Sequence, residues 1–154
     1  MKRIGVGVAA ILGVLSLAGC TAVAGGATEE EQQAVQEWLD ERGQDLEDPY
    51  TLAQMSAVTG TSESAPDVEN VVFVSFEEPM MIGEVLYACT GPETMTLTVE
   101  VQWETKSWTR TFEDQPCGDD FAALDLPTVA EATAFRAHGS STEYGAWSVI
   151  ARRE

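Results

Sequence analysis

Few side chains in this 154-residue sequence could carry covalent or acid–base chemistry. There is one histidine, His138, so every His-dependent nucleophile–base set or zinc site would depend on it. Serine is plentiful, but neither Gly-x-Ser-x-Gly nor Ser-x-x-Lys occurs. A single histidine beside a glycine, in a segment with the composition of a loop, is typical of solvated surface. We therefore predict no catalytic residues and a protein that is not an enzyme.

Two groups of side chains could bind a metal ion. Four aspartates lie close to Cys117 in the sequence: Asp114, Asp119, Asp120 and Asp125. Their oxygens suit calcium, but their spacing is not that of an EF-hand loop, and such a run in an acidic chain is usually a solvated face. Met80 and Met81 could be copper ligands. Because His138 is so distant in the sequence, a role as apolar side chains that fill space in a loop fits them better. We expect no metal and no cofactor.

The first twenty residues have the layout of an export signal. Lys2 and Arg3 precede an apolar run of 14 residues, from Ile4 to Leu17, and small residues separate this run from Cys20. A membrane-spanning helix needs roughly 20 apolar residues, so the run is too short for a permanent span. A cleavable signal without lipid is the closest alternative, and the cysteine directly after Ala-Gly argues against it. We predict that residues 1–19 are a signal peptide.

The residues Leu17-Ala18-Gly19-Cys20 form a lipobox, and here the chain resembles bacterial lipoproteins as a class. The resemblance implies that diacylglycerol is attached to the Cys20 thiol and that the peptide is cut before Cys20. It also implies acylation of the new amino terminus by a fatty acid such as palmitate. Two or more acyl chains hold a membrane stably. The implied location is the extracytoplasmic face of the cell membrane, with lipid on Cys20 as the anchor.

The composition limits the partners of the mature chain. Removal of residues 1–19 leaves 135 residues, enough for one domain of ordinary size and a tether. The formal charge is −18, and loss of Lys2 and Arg3 makes it −20. A surface this acidic repels nucleic acid and anionic lipid headgroups. We therefore expect no nucleic-acid partner.

Once Cys20 is assigned to lipid, Cys89 and Cys117 remain as a pair in an oxidising compartment. A disulfide bond between them would close a loop of about 29 residues and stabilise the fold by about 3.5 kcal/mol in the chain-entropy model. The alternative, a redox-active or metal-binding pair, normally needs Cys-x-x-Cys spacing or added histidines. We predict a structural disulfide bond.

A short helix is predicted at about residues 28–42. Thr28 and Glu31 have the spacing of a capping box at its start, and Gly43 can take a left-handed C-cap conformation at its end. The apolar residues of the helix form one narrow stripe. This stripe either packs on the domain that follows or docks a partner.

The helix belongs to a lipid-anchored tether that we place at residues 20–66. Within it, residues 52–58 fit a short helix or a strand equally well. Residues 59–66 are small and polar, as in a linker. We place the compact domain at residues 67–154.

The pattern of this domain is that of short β-strands. The clearest runs from Thr94 to Trp103, where apolar and polar residues alternate as in a half-buried strand. Ser107 to Phe112 returns from it in a hairpin. Further strands are predicted at residues 71–76, 84–90, 128–137 and 146–152. Glu-Glu-Pro, Gly-Pro and Pro-Cys-Gly sequences between them are predicted to be breaks or turns.

The hairpin also yields a register and a candidate binding surface. With Thr105 and Lys106 at its tip, Trp103 opposes Trp108 and the large apolar side chains share one face. If that face were exposed, the two indoles could form a stacking platform for sugars. Their apolar neighbours favour a buried face instead.

A second resemblance rests on Tyr87-x-Cys89-x-Gly91, the hairpin, Cys117-Gly118 and Gly145-x-Trp147. In these residues the chain resembles a group of small bacterial lipoproteins, without assigned activity, that carry a disulfide-pinned β-sandwich. The resemblance covers about residues 67–154 and implies a fold, not an activity. We expect an all-β fold, an antiparallel β-sandwich of about six or seven strands preceded by one short N-terminal helix. The expected function is a non-enzymatic interaction or accessory module of the cell envelope, and the alternative is a small-solute or glycan-binding lipoprotein.

Overall fold

The structure, a computed structural model, describes residues 27–43, 48–60 and 71–153. One α-helix precedes six β-strands in these residues. Their bounds are α1 Glu29–Arg42, β1 Thr51–Thr59, β2 Val71–Ile82, β3 Glu84–Trp103, β4 Lys106–Ala123, β5 Val129–Ser140 and β6 Gly145–Arg152. The predicted signal peptide and Cys20 lie outside the described residues. The prediction of a mostly β, antiparallel fold with one N-terminal helix is confirmed.

All six strands belong to one hydrogen-bonded sheet built around β3. Residues 84–90 of β3 pair with β6, which in turn pairs with β1. Residues 96–102 of β3 pair with β5, which pairs with β2. On its other side β3 pairs with β4 over most of its length. The sheet is nearly closed, like a barrel, and the predicted two-sheet sandwich is not confirmed.

The core lies between two parts of the sheet. One part contains β1, β6 and residues 84–90 of β3, and the other contains β2, β5 and residues 96–102 of β3. β3 contributes Leu97 and Val99 to it, β5 contributes Phe135, and β6 contributes Trp147 and Val149, all five of them with no exposed surface. Leu97 and Val99 alternate with polar residues along β3, which is why the sequence indicates this strand most clearly. Each of the two parts of the sheet also has an outer face, which points away from the core.

Helix α1 covers one of the two outer faces. Its buried residues Val35 and Trp38 pack on Ala88 of β3 and Ala146 of β6, so the predicted stripe packs on the sheet. We call the outer face of β1, β6 and residues 84–90 of β3 the covered wall. We call the outer face of β2, β5, residues 94–103 of β3 and residues 106–116 of β4 the open wall. No described element packs on the open wall.

The predicted capping box is present at the start of α1. The amide and the hydroxyl group of Thr28 both donate to the Glu31 carboxylate, and this lowers the pKa of that carboxyl group. The helix ends at Arg42 as predicted, but the predicted left-handed conformation of its C-cap is wrong. Gly43 has φ −58° and ψ −18°, which is right-handed backbone, and so it does not form a left-handed cap.

Strand β1 lies in the segment that the sequence placed in the tether. Residues 52–58, left open between helix and strand, are strand, and β1 pairs with β6 from Thr51 to Thr59. The sheet therefore contains residues that precede position 67. The sequence could not show this, because the partner of β1 lies about 90 residues further along the chain.

Segments predicted as breaks continue as strands. β2 passes through Pro79 and β3 passes through Gly91 and Pro92, each with a register shift, and β4 passes through Pro116. Proline has no amide N–H to donate, so strands accept it at bulges and edges, where no ladder bond is lost. The result is longer strands than the sequence indicates.

The predicted hairpin register is wrong by two residues. Trp103 opposes Lys106, and Val101 opposes Trp108. The turn consists of Glu104 and Thr105, and Glu104 has a positive φ of 50°, which a non-glycine residue seldom adopts. A shift of two residues preserves the face of every side chain, so the predicted apolar face is still the inner one.

Candidate functional site

The predicted disulfide bond Cys89–Cys117 is present and joins β3 to β4 where the sheet bends. The two Cα atoms are 4.7 Å apart, and Cys89 is fully buried. The bond lies next to the register shifts in β3, where the two strands lose regular pairing. The disulfide therefore holds the bend where the hydrogen-bond ladder is interrupted.

Tyr87 lies against the disulfide. Its hydroxyl group contacts the Cys89 Sγ atom and is 3.8 Å from the Cys117 Sγ atom. The residue is only 2% exposed, and this burial raises the pKa of Tyr87 to about 12. The hydroxyl group therefore stays neutral to a higher pH than that of an ordinary tyrosine.

The raised pKa predicts a loss of stability in alkali. The stabilising contribution of neutral Tyr87 is complete below pH 10, the ordinary value, and is lost as the pH rises through about 12. We expect the free energy of unfolding to be roughly 1 kcal/mol lower at pH 11 than at pH 9. In Tyr87→Phe this difference should disappear, while Tyr144→Phe should retain it. Urea unfolding at the two pH values measures this difference in the free energy of unfolding. An equal difference in all three proteins would contradict its assignment to Tyr87.

Two glycines, Gly91 and Gly139, lie against neighbouring residues with no room for a side chain. A Cβ atom on Gly91 would overlap the backbone of Tyr144 and Gly145, and one on Gly139 would overlap the Trp147 ring. Gly91 has a φ of +101°, which favours glycine in any case. Gly91, Gly139 and Trp147 therefore have packing roles in the fold.

The predicted alternatives for metal binding do not come together in the structure. Within residues 27–43, 48–60 and 71–153, no group of three or more His, Cys, Asp or Glu side chains could hold a metal ion. The aspartates around Cys117 lie along β4 and after it, spread over an extended strand. Met81 is exposed at the end of β2, and His138 is in β5 rather than in a loop.

The predicted tryptophan platform does not form. Trp108 is on the inner face, packs against the core, and faces Ile82, Leu126 and Val129 across a narrow gap. Since Trp103 pairs with Lys106 instead, the two indoles are not opposite each other. Sugar stacking on this pair is therefore not supported.

A different set of side chains is brought together on the open wall. Two rows of cross-strand neighbours run over β2, β5, β3 and β4. The first row is Val71, His138, Thr98 and Thr111, and the second is Phe73, Arg136, Glu100 and Thr109. Neighbours in such a row have side chains on the same face, within contact distance. Val71 and Phe73 are large apolar residues that are 42% and 49% exposed.

These rows form a shallow groove of about 340 Å³, lined by residues of both rows and by Ala137 between them: Val71, Thr98, Glu100, Thr109, Arg136, Ala137 and His138. Phe73 borders it, and the Arg136 guanidinium carbon lies 4.9 Å from the centre of its ring. The Arg136 Nη1 atom is 3.9 Å from the Glu100 carboxylate, longer than a hydrogen bond. The groove has the volume of a small-ligand site.

Arg136 lacks hydrogen-bond partners. Its Nε atom is buried without one, and no hydrogen bond joins its guanidinium to any residue in the described part of the chain. A guanidinium group has five N–H donors. In contrast, Glu100 accepts from the Gln102 amide at 2.7 Å, and the hydroxyl groups of Thr98 and Thr111 are 3.1 Å apart. The groove thus offers an unused cationic donor beside a carboxylate and several hydroxyl groups.

Sequence reasoning did not identify this groove. Val71 to Phe76 is a continuous apolar run, which suggests burial on both faces, whereas only Val72, Val74 and Phe76 pack against the core. The one available signal was Arg136, a charge between the apolar residues Phe135 and Ala137. It marks the outward face of β5, but the neighbours that complete the groove come from distant strands.

Comparison with known proteins adds no assignment: no family model, no curated protein and no solved structure matches the chain. In the described part of the chain, the single helix is neither long nor apolar enough to span a bilayer. The candidate site therefore rests on the geometry of the open wall.

Proposed function

We propose that this chain is a lipid-anchored, non-enzymatic binding module of the bacterial cell envelope, with the open wall as its interaction surface. One observation carries the choice of surface. Helix α1 covers one outer face of the sheet, whereas the other carries exposed Val71 and Phe73 and the groove around Arg136. Exposed apolar residues rimmed by polar ones are typical of interaction sites.

The anchoring part of the proposal rests on the lipobox and on the resemblance to bacterial lipoproteins. The disulfide bond supports it, because such bonds persist in oxidising compartments outside the cytoplasm. The acidic charge of the chain also suits a domain that stands off an anionic membrane.

We expect Cys20→Ala to leave the protein unprocessed or to release it from the membrane, because no thiol remains for the lipid. Membrane fractionation and the mass of the mature chain measure this. Cys20→Ser is the matched control for size and polarity, and it should behave in the same way. Normal anchoring and normal mass in either variant would contradict the lipid attachment.

The interaction surface is tested by photocrosslinking in intact membranes. A photoreactive residue at Thr111, which is exposed on the open wall, should give adducts with an envelope component. The same residue at Gln36, which is exposed on the outside of α1, is the control and should give none. Adducts at Gln36 alone, or equally at both positions, would contradict the choice of the open wall.

A further inference from the structure

We propose that the groove on the open wall binds a carboxylate-bearing sugar, of the uronic acid type, with Arg136 holding the carboxylate. This inference rests on the proposed function and deepens it, because it gives the binding surface a ligand class. The starting observation is the guanidinium of Arg136, whose buried Nε atom has no hydrogen-bond partner among the described residues. The exposed end of the same guanidinium lies 3.9 Å from Glu100, longer than a hydrogen bond, and a ligand acceptor can bind there.

A carboxylate is the acceptor that matches this group. A guanidinium presents its N–H donors in a planar fork, which a carboxylate can accept in pairs. Phe73 holds the guanidinium on one side at 4.9 Å, so the fork is oriented before the ligand arrives. The Arg136 side chain is 42% exposed, which leaves part of it accessible from the groove.

The neighbours of Arg136 argue against a simple anion. Glu100 is only 3.9 Å from the guanidinium, and the chain as a whole carries a charge of −18. A sulfate ion has more charge and no donor for Glu100, and a phosphate ion has more charge on average at neutral pH, so that carboxylate would repel both. The ligand must therefore carry one carboxylate and also groups that can donate hydrogen bonds.

Sugar hydroxyl groups meet the second requirement. Glu100 accepts hydrogen bonds, while the hydroxyl groups of Thr98 and Thr109 can donate or accept them. Val71 forms an apolar part of the same groove, suited to the carbon-bound hydrogens of a pyranose ring. A neutral sugar would leave the guanidinium with the Glu100 carboxylate at 3.9 Å and no hydrogen-bonded anion. A sugar acid provides a carboxylate for Arg136 and hydroxyl groups for Glu100 and the two threonines.

The one histidine of the chain provides the measurement, because His138 lines this groove. The full-length protein, purified in detergent with labelled histidine, is titrated with D-glucuronate, and the imidazole NMR signal of His138 is followed. We expect a saturable shift with glucuronate. Glucose, acetate and phosphate should each give at least about tenfold weaker binding, since each lacks one of the two interactions.

Arg110 supplies a matched control for Arg136. It is also a half-exposed arginine stacked on a phenylalanine, with its guanidinium carbon 5.0 Å from the Phe112 ring, but it pairs with Asp125 away from the groove. We expect Arg136→Gln to weaken glucuronate binding at least about tenfold. Arg110→Gln should change it less than about twofold, because Arg110 does not line the groove. Should Arg136→Gln fail to fold, Arg136→Lys, which keeps the charge but not the fork, should still weaken binding.

The outcomes separate the alternatives. Equal binding of glucose would refute the role of the carboxylate, and equal binding of acetate or phosphate would refute the sugar. No shift of His138 with glucuronate, or with an oligosaccharide that ends in glucuronate, would refute the proposal for both the free and the polymer-bound ligand. Crosslinking at Thr111 to an envelope component could still succeed in that case, so the proposed function would be judged separately.

Discussion

Replacing Trp147 by alanine should lower the free energy of unfolding by about 3–5 kcal/mol, the largest effect expected of any single substitution discussed here. The indole ring has no exposed surface and lies against Gly139 of β5, a strand that is not hydrogen-bonded to β6. Its removal leaves a cavity that the two strands cannot close without moving. Since a domain of this size is stable by only about 5–15 kcal/mol, such a loss is a large share of the total.

Urea unfolding followed by circular dichroism measures this effect, because the remaining tryptophans do not complicate that signal. Trp103→Ala is the control, since Trp103 is half-buried near the hairpin turn and its replacement should cost much less.

Gly139→Ala should also destabilise the fold, by about 1–3 kcal/mol, because its methyl group would overlap the Trp147 ring. In the Trp147→Leu background that cost should shrink. Additive costs would show that Gly139 and Trp147 do not interact as described.

Removal of the disulfide bond should have the second largest effect. The bond joins residues 28 positions apart, and its loss in Cys89→Ala/Cys117→Ala should lower the free energy of unfolding by about 3.5 kcal/mol. For a domain of this size the corresponding fall in Tm is roughly 15 °C. The cause is that the unfolded chain regains the freedom that the bridge had removed.

Thermal unfolding with and without reductant measures this second effect and provides its control. Reductant should lower the Tm of the unmodified protein toward that of the double variant, and it should leave the double variant unchanged. A Tm that does not respond to reductant, together with free thiols by mass, would contradict a stabilising disulfide bond.

How far the sequence predicted the fold depended on the range of each interaction. The alternation from Thr94 to Trp103 and the capping box at Thr28 are local patterns, and both are confirmed. Local signals failed where a bulge or a bend accepts a residue that usually ends a strand, as at Pro79. The register failed because Glu104 takes a positive φ that its residue type does not indicate.

The candidate site could not be predicted from the sequence, for a related reason. Phe73, Arg136 and Glu100 lie on three strands, and they become neighbours only through the pairing of β2 with β5 and of β5 with β3. Nothing in their local sequences specifies those pairings. The disulfide bond could be predicted, in contrast, because the predicted compartment and the number of cysteines limited the choices.

The position of β6 in the sheet has a consequence for how the protein folds. β6 is the last strand along the chain, yet it lies between β1 and β3 and has buried residues at nearly every position. As the chain emerges from a ribosome or a translocation channel, β1 has no main partner until residues 145–152 arrive. Pairings of such long range slow folding, because the chain must close large loops before it gains contacts. The order of synthesis therefore keeps the sheet incomplete until residues 145–152 have emerged.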